Sequence, residues 1–253
     1  MEKTRLDDLL VQKGIAPDRK AAAAIILTGR VLVGEQRIDK PGTAVDPSLK
    51  IRLKGGDQER YVSRGGLKLE AALRGLSIDV NQAVCLDLGA STGGFTDCLL
   101  RHGARVVYAF DVGKGQLDWR LQKDPRVKVK DSINVRNMHP SLVEERVDLI
   151  TIDLSFISLR LVLPGLRQFA PVKVLALVKP QFEAERDEVG PGGIIRSDDL
   201  RQAIVQRIKQ HAEDLGFALL GETPSPIPGQ KGNREYFLLL SCQDASQPLQ
   251  QLR

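Results

Sequence analysis

Apolar positions keep a helical spacing early in this chain and a strand-like clustering later, and the change of rhythm divides it. Leu6, Leu9 and Leu10 recur on one face until Gly14, and a second run from Arg19 to Leu27 carries the alanines Ala21 to Ala24. Val31-Leu32-Val33 and Lys50-Ile51-Arg52-Leu53 then read as short strands. From Tyr61 onward helical patterns over Leu67 to Leu76 and Thr92 to Arg101 alternate with apolar runs of strand length. Those runs are Ala83 to Leu88, Arg105 to Phe110, Val127 to Val129, Val147 to Ile152 and Val174 to Val178, with helices expected between them. Ser197 before Asp198 and Asp199 suits the N-cap of a long helix ending near Gly216. Phe217 to Leu220 and Tyr236 to Leu240 read as a closing strand pair around the turn-rich stretch Pro224 to Gly232.

Alternation of this kind predicts an α/β protein. The expected parts are a small N-terminal α+β domain at residues 1–58, a linker at 59–62 and a doubly wound, mostly parallel Rossmann-like sheet with an antiparallel last strand at 63–243. A tail follows at 244–253. With 253 residues and 42% apolar content, the chain can fill one core of ordinary size and a small second one. The 37 Lys and Arg against 32 Asp and Glu give a mild basic excess of +5, a weak pointer to phosphate backbones. Cys85, Cys98 and Cys242 are scattered and form no CxxC pair, so neither a disulfide framework nor a zinc site is indicated. No run of 18 apolar residues exists, and the N-terminus leads into an amphipathic helix. A soluble cytoplasmic protein with no bound metal is the expectation, as a monomer, since no apolar stripe demands a partner.

In a doubly wound sheet, ligands bind where the strands end. Asp87-Leu88-Gly89-Ala90-Ser91-Thr92-Gly93-Gly94-Phe95 joins a strand to a helix through a glycine-rich turn whose amides can face a ligand. The spacing is not G-x-G-x-x-G, which argues against a nicotinamide or flavin. Asp111 ends the second strand, where a carboxylate can accept both ribose hydroxyls of S-adenosylmethionine or NAD; capping the next helix is its alternative role. Asp153 and Lys179 end two later strands and Glu235 opens the last one, while Lys68 lies upstream. Two cations and two carboxylates meeting in one crevice suit methyl transfer from S-adenosylmethionine to a hydroxyl. A plain salt bridge between Lys179 and Asp153 is the competing structural role. His102, His139 and His211 have no partner at ligand spacing, and Trp119 and Tyr108 read as packing residues.

In the N-terminal part, Arg5, Lys13, Arg19, Lys20 and Arg30 recur through both helices and the turn after them, and can line one side of the pair. A solvated charged face is the alternative, because residues 1–60 hold 12 Lys and Arg against 9 Asp and Glu. The order Arg5-Leu6-Asp7, Leu10, Lys13-Gly14, Arg19, Ala22, Ile25, Gly29-Arg30-Val31 and Val33 resembles the small RNA-binding domain first seen in the fourth protein of the small ribosomal subunit. That resemblance implies recognition of RNA shape and phosphate rather than base edges.

Six motifs together extend the resemblance over residues 3–241. They are Ser63-Arg64-Gly65-Gly66-Leu67-Lys68, the Asp87 to Phe95 turn, Asp153 to Ser158, Lys179-Pro180-Gln181-Phe182-Glu183, Gly190 to Gly193 and Gly232 to Phe237. The chain resembles the TlyA family, often labelled haemolysin-like, which joins such an RNA-binding module to a methyltransferase domain of the FtsJ type. This implies S-adenosylmethionine as cofactor and the ribose 2'-hydroxyl of cytidine in ribosomal RNA, in the small or large subunit or both, as substrate. The family's catalytic tetrad carries over to Lys68, Asp153, Lys179 and Glu235. Asp87, Gly89, Ser91, Thr92, Gly93, Gly94, Phe95, Asp111 and Asn134 would hold the cofactor, with Asn134 and Arg136 near the adenine. Lys179 would be the base; burial and the second cation Lys68 favour its neutral amine, and the two carboxylates oppose it. The chain departs from the pattern at Arg60-Tyr61-Val62, where related members have a tryptophan before the valine, which bears on how the domains communicate. Two other readings are a membrane-active haemolysin, for which no apolar hairpin or wide apolar helix face is found, and a non-catalytic ribosome assembly factor, against which the intact tetrad speaks.

Overall fold

The computed structural model describes residues 3–29, 31–34, 36–53, 60–229 and 232–243, and by its contacts the chain divides into units of residues 1–60 and 61–253. In the first unit β1 (Thr4–Arg5) leads into α1 (Leu6–Gln12), and Asp18 starts α2 (Arg19–Leu27) by accepting the Ala21 N–H at 2.8 Å. The strands β2 (Val31–Val33), β3 (Gln36–Ile38), β4 (Ala44–Val45) and β5 (Ile51–Leu53) follow. Among the described residues β1 pairs with β4, and β3, β2 and β5 form an antiparallel sheet in that order. Leu6, Leu10 and Ile26 from the helices close on Val31 and Val33 from the sheet. The strands β1, β3 and β4 are absent from the sequence reading because β1 and β4 have two residues each and β3, Gln36–Ile38, has a single apolar residue, whereas β2 and β5 have three and two.

The second unit opens with α3 (Arg64–Gly75), three residues earlier than its apolar pattern suggests, because the Ser63 hydroxyl caps the Gly65 N–H. Then come β6 (Val84–Leu88), α4 (Gly94–Arg101), β7 (Val106–Phe110), α5 (Trp119–Gln122), β8 (Val127–Lys130) and β9 (Leu149–Ile152). They are followed by α6 (Leu163–Leu166), β10 (Val172–Val178), α7 (Pro180–Glu183), α8 (Asp198–Asp214), β11 (Phe217–Pro224) and β12 (Tyr236–Cys242). Ser197 caps α8 as expected, accepting from the Leu200 N–H. The expectation of helices between all strands fails in part. Among the described residues the β8–β9 connection contains only single 3₁₀ turns, and α5 and α6 are four residues each.

Among the described residues the sheet runs β11-β12-β10-β9-β6-β7-β8, parallel from β10 to β8, with β12 antiparallel to both of its neighbours. This is the predicted mostly parallel sheet with an antiparallel last strand. Parallel strands bury both faces. Leu86 and Leu88 point into the layer containing Leu163, Leu166, Val205 and Ile208 from α6 and α8. Cys85 points into the opposite layer, with Leu69, Leu73, Cys98 and Leu99 from α3 and α4.

Asp87, two residues beyond Cys85 on the same central strand, breaks this apolar pattern and is wholly buried. Its carboxyl accepts hydrogen bonds from the hydroxyls of Thr96 on α4 (2.7 Å) and Thr151 on β9 (3.0 Å), tying three elements together. Burial pushes its pKa up to about 7, against the lowering effect of both hydroxyls. The unfolded value is about 3.9. The folded chain therefore holds an extra proton between those values, and the stability linked to this group is full below about pH 4 and lost as pH rises through about 7. Asp87→Asn is expected to flatten the pH dependence of the unfolding free energy between about pH 4 and 8 in urea titrations; an unchanged slope would rule this origin out.

Candidate active site

The turn after β6 is built for close backbone approach. Gly89 has φ +86°, and a Cβ there would stand 2.6 Å from the Asp153 carbonyl oxygen, so the ends of β6 and β9 pack backbone against backbone. A Cβ on Gly94 would lie 2.2 Å from the Ser63 hydroxyl, which seats the start of α4 against the start of α3. Ser91, itself at φ +48°, donates its N–H to Asp111 Oδ2 at 2.8 Å, while Asp111 Oδ1 accepts the Gly113 N–H at 2.7 Å. Asp111 thus staples the glycine turn to the end of β7 and caps no helix.

Two ion pairs stand beside this turn. Lys179 leaves β10 with its Nζ 2.6 Å from Asp153 Oδ1, and it donates to Ser155 Oγ at 3.1 Å. Lys68, from α3, donates to Glu235 Oε2 at 2.5 Å. Glu235 and Lys179 are both buried. All four side chains line one crevice of about 340 Å³ with Gly89, Ser91, Thr92, Gly94 and Phe95. The salt bridge weighed against a chemical role for Lys179 is present, and it lies inside the crevice. Ring contact with Phe237, at a centroid distance of 6.0 Å, fixes Phe95 as part of both core and wall.

A neighbouring crevice of about 600 Å³ shares Gly89, Ser91 and Asp153 and extends past Asp111, Ile133 and Asn134. Asn134 Oδ1 accepts the Arg136 N–H at 3.0 Å, and the residue is exposed. Of the residues expected to hold a cofactor, Asp87 and Gly93 line neither crevice. Asp87 lies under the turn, and Gly93 faces Leu117 and Leu121.

Two aromatic residues that the motifs contain without a role also meet here. Phe156 is 90% exposed at φ +64°, with its ring centroid 4.9 Å from that of Phe182. The sequence signal was a bulky aromatic in a strand-end loop whose other apolar residues, Leu154 and Ile157, pack against the core. In the N-terminal unit Arg5 pairs with Asp7 at 2.6 Å and Arg19 with Asp8 at 3.1 Å, while Lys13 and Lys20 are exposed. Arg30 lies outside the described residues. Among the described residues no group of His, Cys, Asp and Glu could hold a metal ion, and no helix is long and apolar enough to cross a membrane.

Comparison with known proteins finds relatives for both units. The FtsJ-like methyltransferase model matches residues 61–242, and the S4 domain model matches residues 4–51. Over 243 residues, 95% of this chain and 91% of the relative, the sequence is 44% identical to the 16S/23S rRNA (cytidine-2'-O)-methyltransferase TlyA of Mycobacterium tuberculosis. The chain belongs to the TlyA family of FtsJ-like methyltransferases. It is also 40% identical to Hemolysin A of Brachyspira hyodysenteriae over 92% of this chain and 97% of that one. A solved structure from Streptococcus thermophilus, provisionally titled a hemolysin, superposes with a TM-score of 0.73 at 41% identity, covering 96% of this chain and 90% of its own. The TlyA resemblance read from the motifs therefore holds across both units.

The tight approach of Gly89 to Asp153 sets a test of the turn. Gly89→Ala is expected to cost about 2 kcal/mol or more of unfolding free energy, from left-handed strain and the clash together. Equilibrium urea unfolding would show it, and a loss below about 0.5 kcal/mol would mean that the strand ends separate freely.

Proposed function

We propose that this protein transfers a methyl group from S-adenosylmethionine to the ribose 2'-hydroxyl of cytidine in ribosomal RNA of the small or large subunit, acting as a cytoplasmic monomer. The observation that carries this reading is the pair of lysine–carboxylate contacts in one crevice beside a glycine turn, in a chain of TlyA type. We assign RNA capture to residues 1–58, with Lys13, Lys20, Arg5 and Arg19 as backbone contacts, the link to 59–62 and chemistry to 63–243.

The chain's donors and acceptors suit the cofactor. Each Asp111 oxygen keeps a lone pair after its backbone bond, enough to accept a ribose hydroxyl, and the amide of the exposed Asn134 has donors to offer an adenine edge. Bound in this cleft, the cofactor supplies an electrophilic methyl on a sulfonium. The protein's task is then to orient a weak nucleophile and remove its proton. Lys179, after losing one ammonium proton to solvent, takes the 2'-hydroxyl proton on its neutral Nζ as the hydroxyl oxygen attacks the methyl carbon. Asp153 and Ser155 fix the direction of that nitrogen, and the Lys68–Glu235 pair braces the opposite wall. Alignment of this kind can supply roughly 7 to 11 kcal/mol, so positioning dominates over basicity. Phe156 offers an exposed ring at the crevice mouth on which the target base can stack.

Two substitutions test this reading, using labelled cofactor, purified ribosomal subunits lacking 2'-O-methylcytidine and nucleoside mass spectrometry. Lys179→Ala is expected to lower kcat by about 10² to 10⁴-fold with cofactor affinity within a few-fold; normal turnover would sink the assignment. Phe156→Ala is expected to lower kcat/KM for RNA by an amount equivalent to about 1–3 kcal/mol while cofactor affinity holds; an unchanged kcat/KM would remove the ring from substrate contact.

A further inference from the structure

The loop after β9 carries Asp153, Ser155 and Phe156, and the turn after β10 carries Lys179. Their mutual placement depends on a residue that touches none of the reacting groups. Glu183, the last residue of α7, is only 3% exposed. Its Oε2 accepts the Ser158 hydroxyl at 2.5 Å and its Oε1 accepts the Leu159 N–H at 2.8 Å. Burial raises its pKa, against the lowering effects of these two donors and of the charges on Arg160 and His211. Glu183 makes no ion pair with a described residue; Arg160 instead donates to its backbone oxygen at 3.2 Å. Keeping a carboxylate in such a place is costly unless its hydrogen bonds serve a further purpose.

That purpose is visible in the lacing of the two segments. Asp153 meets Lys179 at one end, Ser155 meets it in the middle, and Ser158 with Leu159 meets Glu183 at the other. Phe156 lies between the ties in a left-handed backbone that a phenylalanine rarely adopts, and such strain persists only where the surroundings impose it. We infer that Glu183 is a positioning residue, a latch that holds the Asp153–Ser158 loop against the Lys179 turn and thereby sets the Lys179–Asp153 contact and the exposed ring of Phe156. This deepens the methyltransferase reading and rests on it for its kinetic consequence.

Glu183→Ala and Glu183→Gln separate a latch from a charge. The glutamine still accepts the Leu159 N–H and can donate to the Ser158 oxygen. In the full-length protein, Glu183→Ala is expected to lower kcat per folded molecule by about 10²-fold, the cost of misplacing groups by about an ångström, whereas Glu183→Gln should stay within about three-fold. Ser158→Ala, which removes one tie, should fall between them. Hydrogen exchange provides an arm independent of RNA chemistry: in Glu183→Ala the amides of residues 154–159 should exchange at least about ten-fold faster, while in Glu183→Gln they should not. Unchanged kcat per folded molecule in Glu183→Ala, with unchanged exchange over that segment, would overturn the latch. Equal impairment of Ala and Gln variants would also overturn it, by making charge the operative property. If the unaltered protein transferred no methyl group, the functional reading would fall, and the exchange measurement alone would still decide whether Glu183 holds the loop.

Discussion

Antiparallel pairing of Val178 with Tyr236 leaves Lys179 and Glu235 as the next residues on strands that run in opposite directions, so both emerge at the same sheet edge. Parallel pairing of β9 with β10 brings Asp153 to that edge as well. Backbone hydrogen bonds therefore do the coarse work of assembling the crevice, and a slip of one residue in β12 would send Glu235 to the other face of the sheet. Only Lys68 reaches the group from a helix, and the Ser63 cap that starts α3 fixes how that helix enters.

Next to this edge the central strand must turn without filling the space it opens. Asp87 meets the requirement from below, because its two hydroxyl donors tie β6 to α4 and β9 just where the chain reverses. Gly89 meets it from above by admitting the Asp153 carbonyl where a side chain would stand. A buried carboxyl that holds three elements together is a structural device, even though it belongs to the motif that would be read as a ligand contact.

Strand ends were legible because a charge that closes an apolar run, as in Leu177-Val178-Lys179 or Ile150-Thr151-Ile152-Asp153, has one plausible place in a parallel sheet. The pairing was legible only in part. The neighbouring strand ends suggested a bridge between Lys179 and Asp153, whereas the entry of α3, which decides that Lys68 takes Glu235, leaves no mark on the sequence. Phe156 and Glu183 escaped for a related reason. A left-handed phenylalanine and a buried latch gain their meaning from contacts across 24 or more residues of sequence, which no local period records. In the N-terminal unit the helices and the apolar strands β2 and β5 were readable, but the two-residue β1 and β4 and the mostly polar β3 carry too little apolar pattern to be seen.

Charge balance in the crevice bears on the proposed assignment of RNA capture to the N-terminal residues. Lys68 and Lys179 are each matched by a carboxylate, so the four groups sum to no net charge and give an RNA phosphate no net Coulombic pull. Such a site favours a neutral hydroxyl over an anion, which suits the proposed chemistry on ribose. It also gives up the long-range attraction that most RNA-binding proteins rely on for affinity. That attraction has to come from elsewhere on the chain, and residues 1–60, with more cations than anions, can supply it without disturbing the balanced crevice. Under the proposed assignment, separating capture from chemistry lets each part carry the charge that its own task requires.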